Sequence, residues 1–275
     1  MICICLDDFG LSAGINQAAL QLAGQGRLQA VSCMVGAPFF KAGVAQLRQL
    51  GPIHIDIGLH LDLTEAPLLA ASRRSLRGLV IDSLLGRVDR QALREEIRMQ
   101  LDTFEQTLGR PPDHVDGHQH VHQLPGVRDE LLDELSLRSA TVRPWLRSTR
   151  SAAQGGSWRA RFKPLVIEQL GDAALRAAAA KRGFRQNNHL LGVYDFQGGA
   201  RAYVSQLERW LQVASPGDLL MCHAGLGEAA DDPIATARRA EFDVLSGRHF
   251  ADLMAVRQIK LQPMSDILGE RGDSK

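Results

Sequence analysis

Aromatic side chains are scarce, at 5% of the 275 residues, and cysteines number only four. Neither sign of charge dominates: 32 lysines and arginines stand against 31 acids, a formal net charge of +1. A chain so balanced has no global field to steer it to a polyanion, so no nucleic-acid partner is expected. No run approaches the roughly 20 apolar residues of a membrane span. The opening "MICICLDDFG" also lacks the basic start and apolar length of a signal peptide. The expectation is a cytoplasmic protein without a membrane span. Cys3 and Cys5 would share one strand face, a poor disulfide geometry, and neither they nor Cys33 and Cys222 form a CxxC pair, so all four read as buried reduced thiols.

What the chain does have is an ordinary core supply, 45% hydrophobic residues, and a repeating order of elements. "ICICL" reads as a strand, and Ser12 can then cap a helix with Ile15, Ala19 and Leu22 on one face. "LQAVSCMVG" (28–36), a helical "FKAGVAQLRQLG" and "IHIDIGLHLDL" (53–63) continue the alternation. A loop is expected around 64–88. The clearest helix follows, with Leu93, Ile97, Leu101, Phe104 and Leu108 on one stripe, ended by Gly109 and the Pro111-Pro112 pair. "DHVDGH", a helix near 125–138, "ATVRPW" (140–145) and a buried strand in "GDLLMCHAG" (217–225) complete the pattern. Strands alternating with helices imply a parallel sheet covered by helices, and for this length an irregular, TIM-like (β/α) barrel fits best. We expect one barrel domain over 1–265 and a frayed tail over 266–275, with the basic stretch 147–165 as an exposed loop or a lid.

The chemistry-bearing residues fall at predicted strand ends, the face where α/β barrels build active sites. Asp7 and Asp8 end the first strand, His60 the third, and His223 the last. The segment "HVDGHQHVH" puts a metal-ligand type at every second position from His114 to His122. On a strand, Asp116 and His118 point the same way, whereas Asp7 and Asp8 leave in opposite senses. His60 alone reads as well as a hydrogen-bonded rim histidine, and "HQHVH" alone as a surface tract. Two adjacent carboxylates beside a core, however, repel and resist burial unless a cation is near, and three strand ends agree. Two decoys fall away. "DFG" at 8–10 has no kinase motifs before it, and "GQG" at 24–26 lies in the reverse of the dinucleotide-binding order.

"DDFGLSAGIN", "GLHLDLTEAP" (58–67), "PPDHVDGHQHVHQLPGV" (111–127) and "CHAG" (222–225) together resemble the YdjC family of carbohydrate deacetylases, which includes the ChbG chitooligosaccharide deacetylases and the HpnK proteins of hopanoid biosynthesis. The resemblance runs in order from residue 2 to about 265. It implies removal of acetyl groups from N-acetylated sugars, on a soluble oligosaccharide or a glycolipid head group, with one divalent metal ion. Carried over by motif, Asp8, His60 and His118 match the metal ligands, Asp7 the general base, and His223 a substrate-side acid or oxyanion contact. The chain departs at Leu6, Gly117 and Ala224, where the family often has Ala, Ser and Pro. None of the three removes a ligand, and Ala224 bears on the local geometry around His223.

Around that set, Asp116 would orient a ligand histidine, Arg143 would pair with Asp116 or Asp7, and His120 would touch a ligand residue or the substrate. Zinc or magnesium suits the donors, with manganese or cobalt as further options. Trp145, Trp158, Tyr194 and Phe196 are candidate stacking surfaces for sugar rings, and Asn187, Asn188 and His189 candidate contacts to hydroxyls. A second copy of the chain is a partner left open. Two rivals stand beside the deacetylase: a metal-dependent phosphoesterase, in which His120, His122 or Asp56 would also bind ions, and a non-catalytic carbohydrate-binding protein on the same fold.

Overall fold

The first strand carries two kinds of residue in alternation, and each faces a different core. In a computed structural model, which describes residues 1–49, 55–138, 143–152, 167–227 and 232–272, β1 (Cys3–Phe9) is fully buried. Ile2, Ile4 and Leu6 join the large core under the helices, while Cys3 and Cys5 join a smaller one on the opposite face. Such two-sided burial is what a parallel sheet under helices demands.

β2 (Ala30–Cys33), β3 (Asp56–Leu61), β4 (His114–Gly117), β5 (Trp145–Leu146), β6 (Leu190–Leu191) and β7 (Leu219–Cys222) complete a parallel sheet in the order β5-β4-β3-β2-β1-β7-β6. Its two edges meet at isolated parallel bridges, Leu146 to Gln186 and Ser151 to Leu190. The sheet therefore curls round on itself. The α/β expectation holds as a curled parallel sheet under helices: the described residues hold seven strands, and no continuous ladder joins β5 to β6 to close a full barrel.

Helices α1 (Ala13–Gly24) and α2 (Phe40–Gln49) separate the first three strands. Ser12 caps α1 by accepting from the Ile15 N–H. The expected loop at 64–88 contains instead α3 (Leu76–Leu84), which buries only Leu79 and Ser83 and so shows little apolar periodicity. In α4 (Arg90–Leu108), Leu93, Ile97, Leu101 and Phe104 are buried, each contributing about 2 kcal/mol by removal from water. Asp89 caps its start, and Gly109, at φ 73°, ends it in a left-handed turn that glycine adopts at no steric cost. After α5 (Val127–Arg138) come α6 (Asp172–Lys181), α7 (Gly199–Val213), α8 (Ala235–Ser246), α9 (Arg248–Val256) and α10 (Met264–Gly272).

α10 occupies residues 264–272, where a frayed tail was expected from 266, and residues 273–275 lie outside the described residues. Met264, Ile267 and Leu268 enter the smaller core with Cys3, Cys5, Ala30, Trp145 and Leu219. Ser265 donates to Asp56 at the start of β3, and Arg185 donates to the Leu268 carbonyl. The segment plugs the end of the curled sheet opposite the strand C-termini. The polar ending "GERGDSK" concealed the short apolar stripe just before it.

Candidate active site

The strand C-termini open on a cleft of about 680 Å³ lined by Asp7, Asp8, His60, His118, His120 and His223. Alternation along β1 would send Asp8 away from Asp7, toward the helices. Between the Leu6 and Phe9 pairings, however, β1 advances three residues while β2 advances two, so β1 carries a bulge. Asp8 sits in it at φ 67°, a left-handed conformation that Asp tolerates better than most residues. The bulge turns both carboxylates into the cleft, which simple strand periodicity did not predict.

Asp8, His60 and His118 form the metal-capable group. Their ligand atoms lie within 4.8 Å of one another. Asp8 Oδ1 is 3.0 Å from His118 Nδ1 and 3.4 Å from His60 Nε2. Behind His60, its Nδ1 is 2.7 Å from Asp116 Oδ1, a contact the parallel register sets up by pairing His60 with Asp116 across β3 and β4. That contact fixes the ring and leaves Nε2 directed at Asp8. Burial lowers the affinity of His60 for a proton, but Asp116 and Asp7 outweigh it and hold the imidazole up at about 10. Burial likewise opposes ionisation of Asp8, yet Arg238 and His118 hold its carboxyl well below the usual range. Three anionic or imidazole donors meeting in one buried corner suit a divalent cation.

Two other clusters have the right residue types and the wrong surroundings. Cys5, His114 and Asp116, and also Asp7, His60 and Asp116, converge within the same limit. Both include carboxylates already engaged by Arg147, a fully buried cation. Its Nη1 and Nη2 each lie 2.6 Å from one oxygen of Asp7, and Nη2 lies 2.5 Å from Asp116 Oδ2. The guanidinium neutralises the two carboxylates where an ion would otherwise be needed.

Arg147 thus takes the part expected of Arg143, which is corrected: Arg143 lies over the Phe184 ring, 5.1 Å from its centroid. Residues 147–149 are a buried rather than an exposed loop, while 153–165 of that basic stretch, Trp158 included, lie outside the described residues. Arg147 stands directly after β5, so its strand-end position was a signal open to sequence reading.

The run His114 to His122 divides its labour. His114 stacks on Trp145 at 4.3 Å and bonds Ser32 Oγ through Nε2, and burial pushes its imidazole down to about 4. His122 Nε2 donates to the Arg147 carbonyl, fixing the backbone that carries the guanidinium. Gln119 and His120 both have positive φ, 52° and 61°, which ends the strand alternation. His120 reaches the cleft, and its Nδ1 has no hydrogen-bond partner among the described residues.

His223 borders the same cleft, edge-on to Phe196 at 5.2 Å. Burial pushes its imidazole down to about 4, so the ring is uncharged at neutral pH. Two residues of α8 that the sequence reading missed support this corner. Arg238 donates to Asp8 Oδ2, to Asp232 and to the His223 carbonyl. Glu241, which burial raises to about 7, accepts from the His223 N–H and the Tyr194 hydroxyl. Neither stands at a strand end, and only the fold brings them here.

Tyr194 and Phe196 line the cleft as expected of stacking residues, together with Leu11, Ile15, Val193 and Met221. Trp145 does not, because it packs in the smaller core with its indole N–H on Asp56. Asn187 instead clamps Ser148 through both backbone groups, Asn188 donates to the Pro216 carbonyl, and His189 pairs with Asp218. Those three expected sugar contacts are corrected to structural roles.

A family model for YdjC-like proteins matches residues 1–256. The chain belongs to the YdjC-like family. Among relatives, the carbohydrate deacetylase of Mus musculus is 32% identical over 210 residues, 69% of this chain and 64% of that protein. The carbohydrate deacetylase of Homo sapiens is 33% identical over 138 residues, 45% and 42%. The chitooligosaccharide deacetylase of Proteus mirabilis is 29% identical over 133 residues, 46% and 52%. The YdjC-like chain thus spans less than two thirds of these relatives' own length. A crystal structure of an Enterococcus faecalis V583 protein assigned to cellobiose-phosphate cleavage matches 97% of this chain and 98% of that one, with a TM-score of 0.68 and 19% identity. The Bc1960 peptidoglycan N-acetylglucosamine deacetylase matches 97% and 86%, with a TM-score of 0.53 and 11% identity. At such identities these two establish the shared fold. No helix among the described residues is long and apolar enough to cross a membrane.

Proposed function

We propose that this YdjC-like chain is a metal-dependent hydrolase that removes the acetyl group from an N-acetylated sugar, a chitooligosaccharide or a glycolipid head group. The observation that carries the reading is the convergence of Asp8, His60 and His118 at the cleft floor beside the Arg147-bound Asp7. The relatives named as carbohydrate and chitooligosaccharide deacetylases support the substrate class.

Asp8, His60 and His118 would hold one divalent ion, zinc or magnesium with manganese or cobalt as options. When bound, such an ion supplies Lewis acidity to the amide carbonyl and to water. Asp7, fixed at both oxygens by Arg147, accepts the proton of the attacking water and, as the carboxylic acid, returns it to the departing amine nitrogen. The overall balance is amide plus water to amine plus acetic acid, which at neutral pH leave as ammonium and acetate. His223 is uncharged at neutral pH, which suits the oxyanion-contact half of its expected role: an imidazole N–H donated to the carbonyl oxygen as charge develops there. Tyr194 and Phe196 give the sugar or its aglycone apolar faces to lie on.

The phosphoesterase alternative needs further ligands, and two of its candidates are committed elsewhere. Asp56 accepts from Trp145 and Ser265 at the opposite end of the sheet, and His122 serves Arg147. Incubating metal-loaded protein with N-acetylated chitooligosaccharides, N-acetylglucosamine glycolipids and aryl phosphates separates the readings. Acetate release without phosphate release is expected, and phosphate release alone would overturn the proposal.

A further inference from the structure

The near-zero charge of the whole chain conceals a local excess. Residues 72–91 carry five arginines, Arg73, Arg74, Arg77, Arg87 and Arg90, against two acids, Asp82 and Asp89. Asp82 lies 4.0 Å from Arg74, Arg90 is paired with the buried Glu130 at 2.6 Å, and Asp89 is spent on capping α4, where its Oδ1 accepts from the N–H groups of Gln91 and Ala92, which leaves Arg73, Arg77 and Arg87 without an ion pair among the described residues. Within this basic segment stand Leu76, Ile81, Leu84 and Leu85, exposed by 37, 44, 60 and 56%. They are four of the nine large hydrophobic side chains exposed among the described residues, gathered in ten positions. Isolated exposed leucines need no explanation, but a cluster rimmed by one sign of charge marks a contact surface.

The segment is α3 with its two flanks. The helix holds to the body through Leu79 and Ser83, and its outward side presents Arg77, Ile81 and Leu84, with Leu85 and then Arg87 just past its end. The patch is continuous with the active cleft, because Leu76, the first residue of the helix, also lines that cleft.

A second copy of the chain is a poor occupant, since a two-fold contact would set the arginines against their own images. An acidic protein partner would ordinarily meet aromatic anchors at the centre of the patch, and residues 72–91 contain none. Aliphatic residues at a helix end with arginines around them match the interfacial layer of a membrane, where leucines enter the acyl boundary and guanidinium groups meet lipid phosphates. We propose that α3 and its flanking arginines dock this chain on the surface of an anionic lipid bilayer, with the mouth of the cleft toward the lipid. Binding of this kind is independent of the chemistry in the cleft.

Co-sedimentation with vesicles provides the test. The full chain should pellet with vesicles of phosphatidylglycerol and phosphatidylcholine, pellet little with phosphatidylcholine alone, and release as salt rises. Replacing the exposed aliphatics together, I81Q/L84Q/L85Q, should reduce partitioning about tenfold or more while leaving the thermal midpoint unchanged. R73E/R77E should abolish the preference for the anionic vesicles. Failure of the wild-type chain to pellet at low salt, or undiminished binding by the triple variant, would overturn the proposal. So would a wild-type dimer that the triple variant dissociates in light scattering, or binding to polyglutamate without binding to the vesicles.

Discussion

Arg147 holds Asp7 and Asp116 together with no exposure to solvent, so its removal leaves two buried carboxylates facing each other. Arg147→Met should cost about 3–5 kcal/mol in urea unfolding, the range for stripping one partner from a buried ion pair. The proton acceptor and the metal-capable group separate cleanly by substitution. Asp7→Asn keeps the shape of the side chain, so it should retain one metal ion per chain while losing about 10²- to 10⁴-fold in turnover. His118→Ala removes a donor 3.0 Å from Asp8 and should lose the ion itself, read by metal analysis after dialysis. Stoichiometric metal in the His118 variant would contradict the ligand assignment.

At the level of elements, the strand ends were legible because burial writes itself into sequence. Apolar or alternating runs gave β1, β2, β3, β4 and β7, and all of these except β2 carry at or just past their C-terminal ends a polar residue that lines the cleft: Asp7 and Asp8, His60, His118 and His223. β6, two residues long, and α3, with two buried positions, leave too little periodic signal to be read. The bulge at Asp8 was hidden for a different reason: strand alternation describes regular backbone, and the site depends on a break in it. Arg238 and Glu241 come from a helix far along the chain and meet the site only through packing. One glycine shows how closely these elements fit. A Cβ at Gly58 of β3 would lie 2.4 Å from ring atoms of His114 on β4. Gly58→Ala should therefore destabilise the fold by about 1–3 kcal/mol, as over-packing does, and displace the strand that carries His60. Lowered thermal stability with weakened metal binding would be seen together.

For the whole molecule, the buried histidines set opposite limits on stability. His114, His122 and His223 are pushed from an ordinary 6.5 down to about 4, so their contribution is complete above pH 6.5 and is lost as pH falls toward 4. His60 is raised to about 10, so its contribution is complete below pH 6.5 and is lost as pH rises through 10. The metal-free protein should accordingly resist urea best near pH 6.5, and a divalent ion, by replacing the proton on His60, should extend stability to higher pH. A metal-free maximum above pH 9 or below pH 5 would contradict these assignments. The central claim, one ion serving amide hydrolysis, is tested most directly by titrating chelated, metal-free protein with a divalent ion while following acetate release from an N-acetylated chitooligosaccharide. The account predicts no acetate at the start, a linear rise, and a break at one ion per chain. Turnover that survives chelation, or a break at two or three ions, would contradict it.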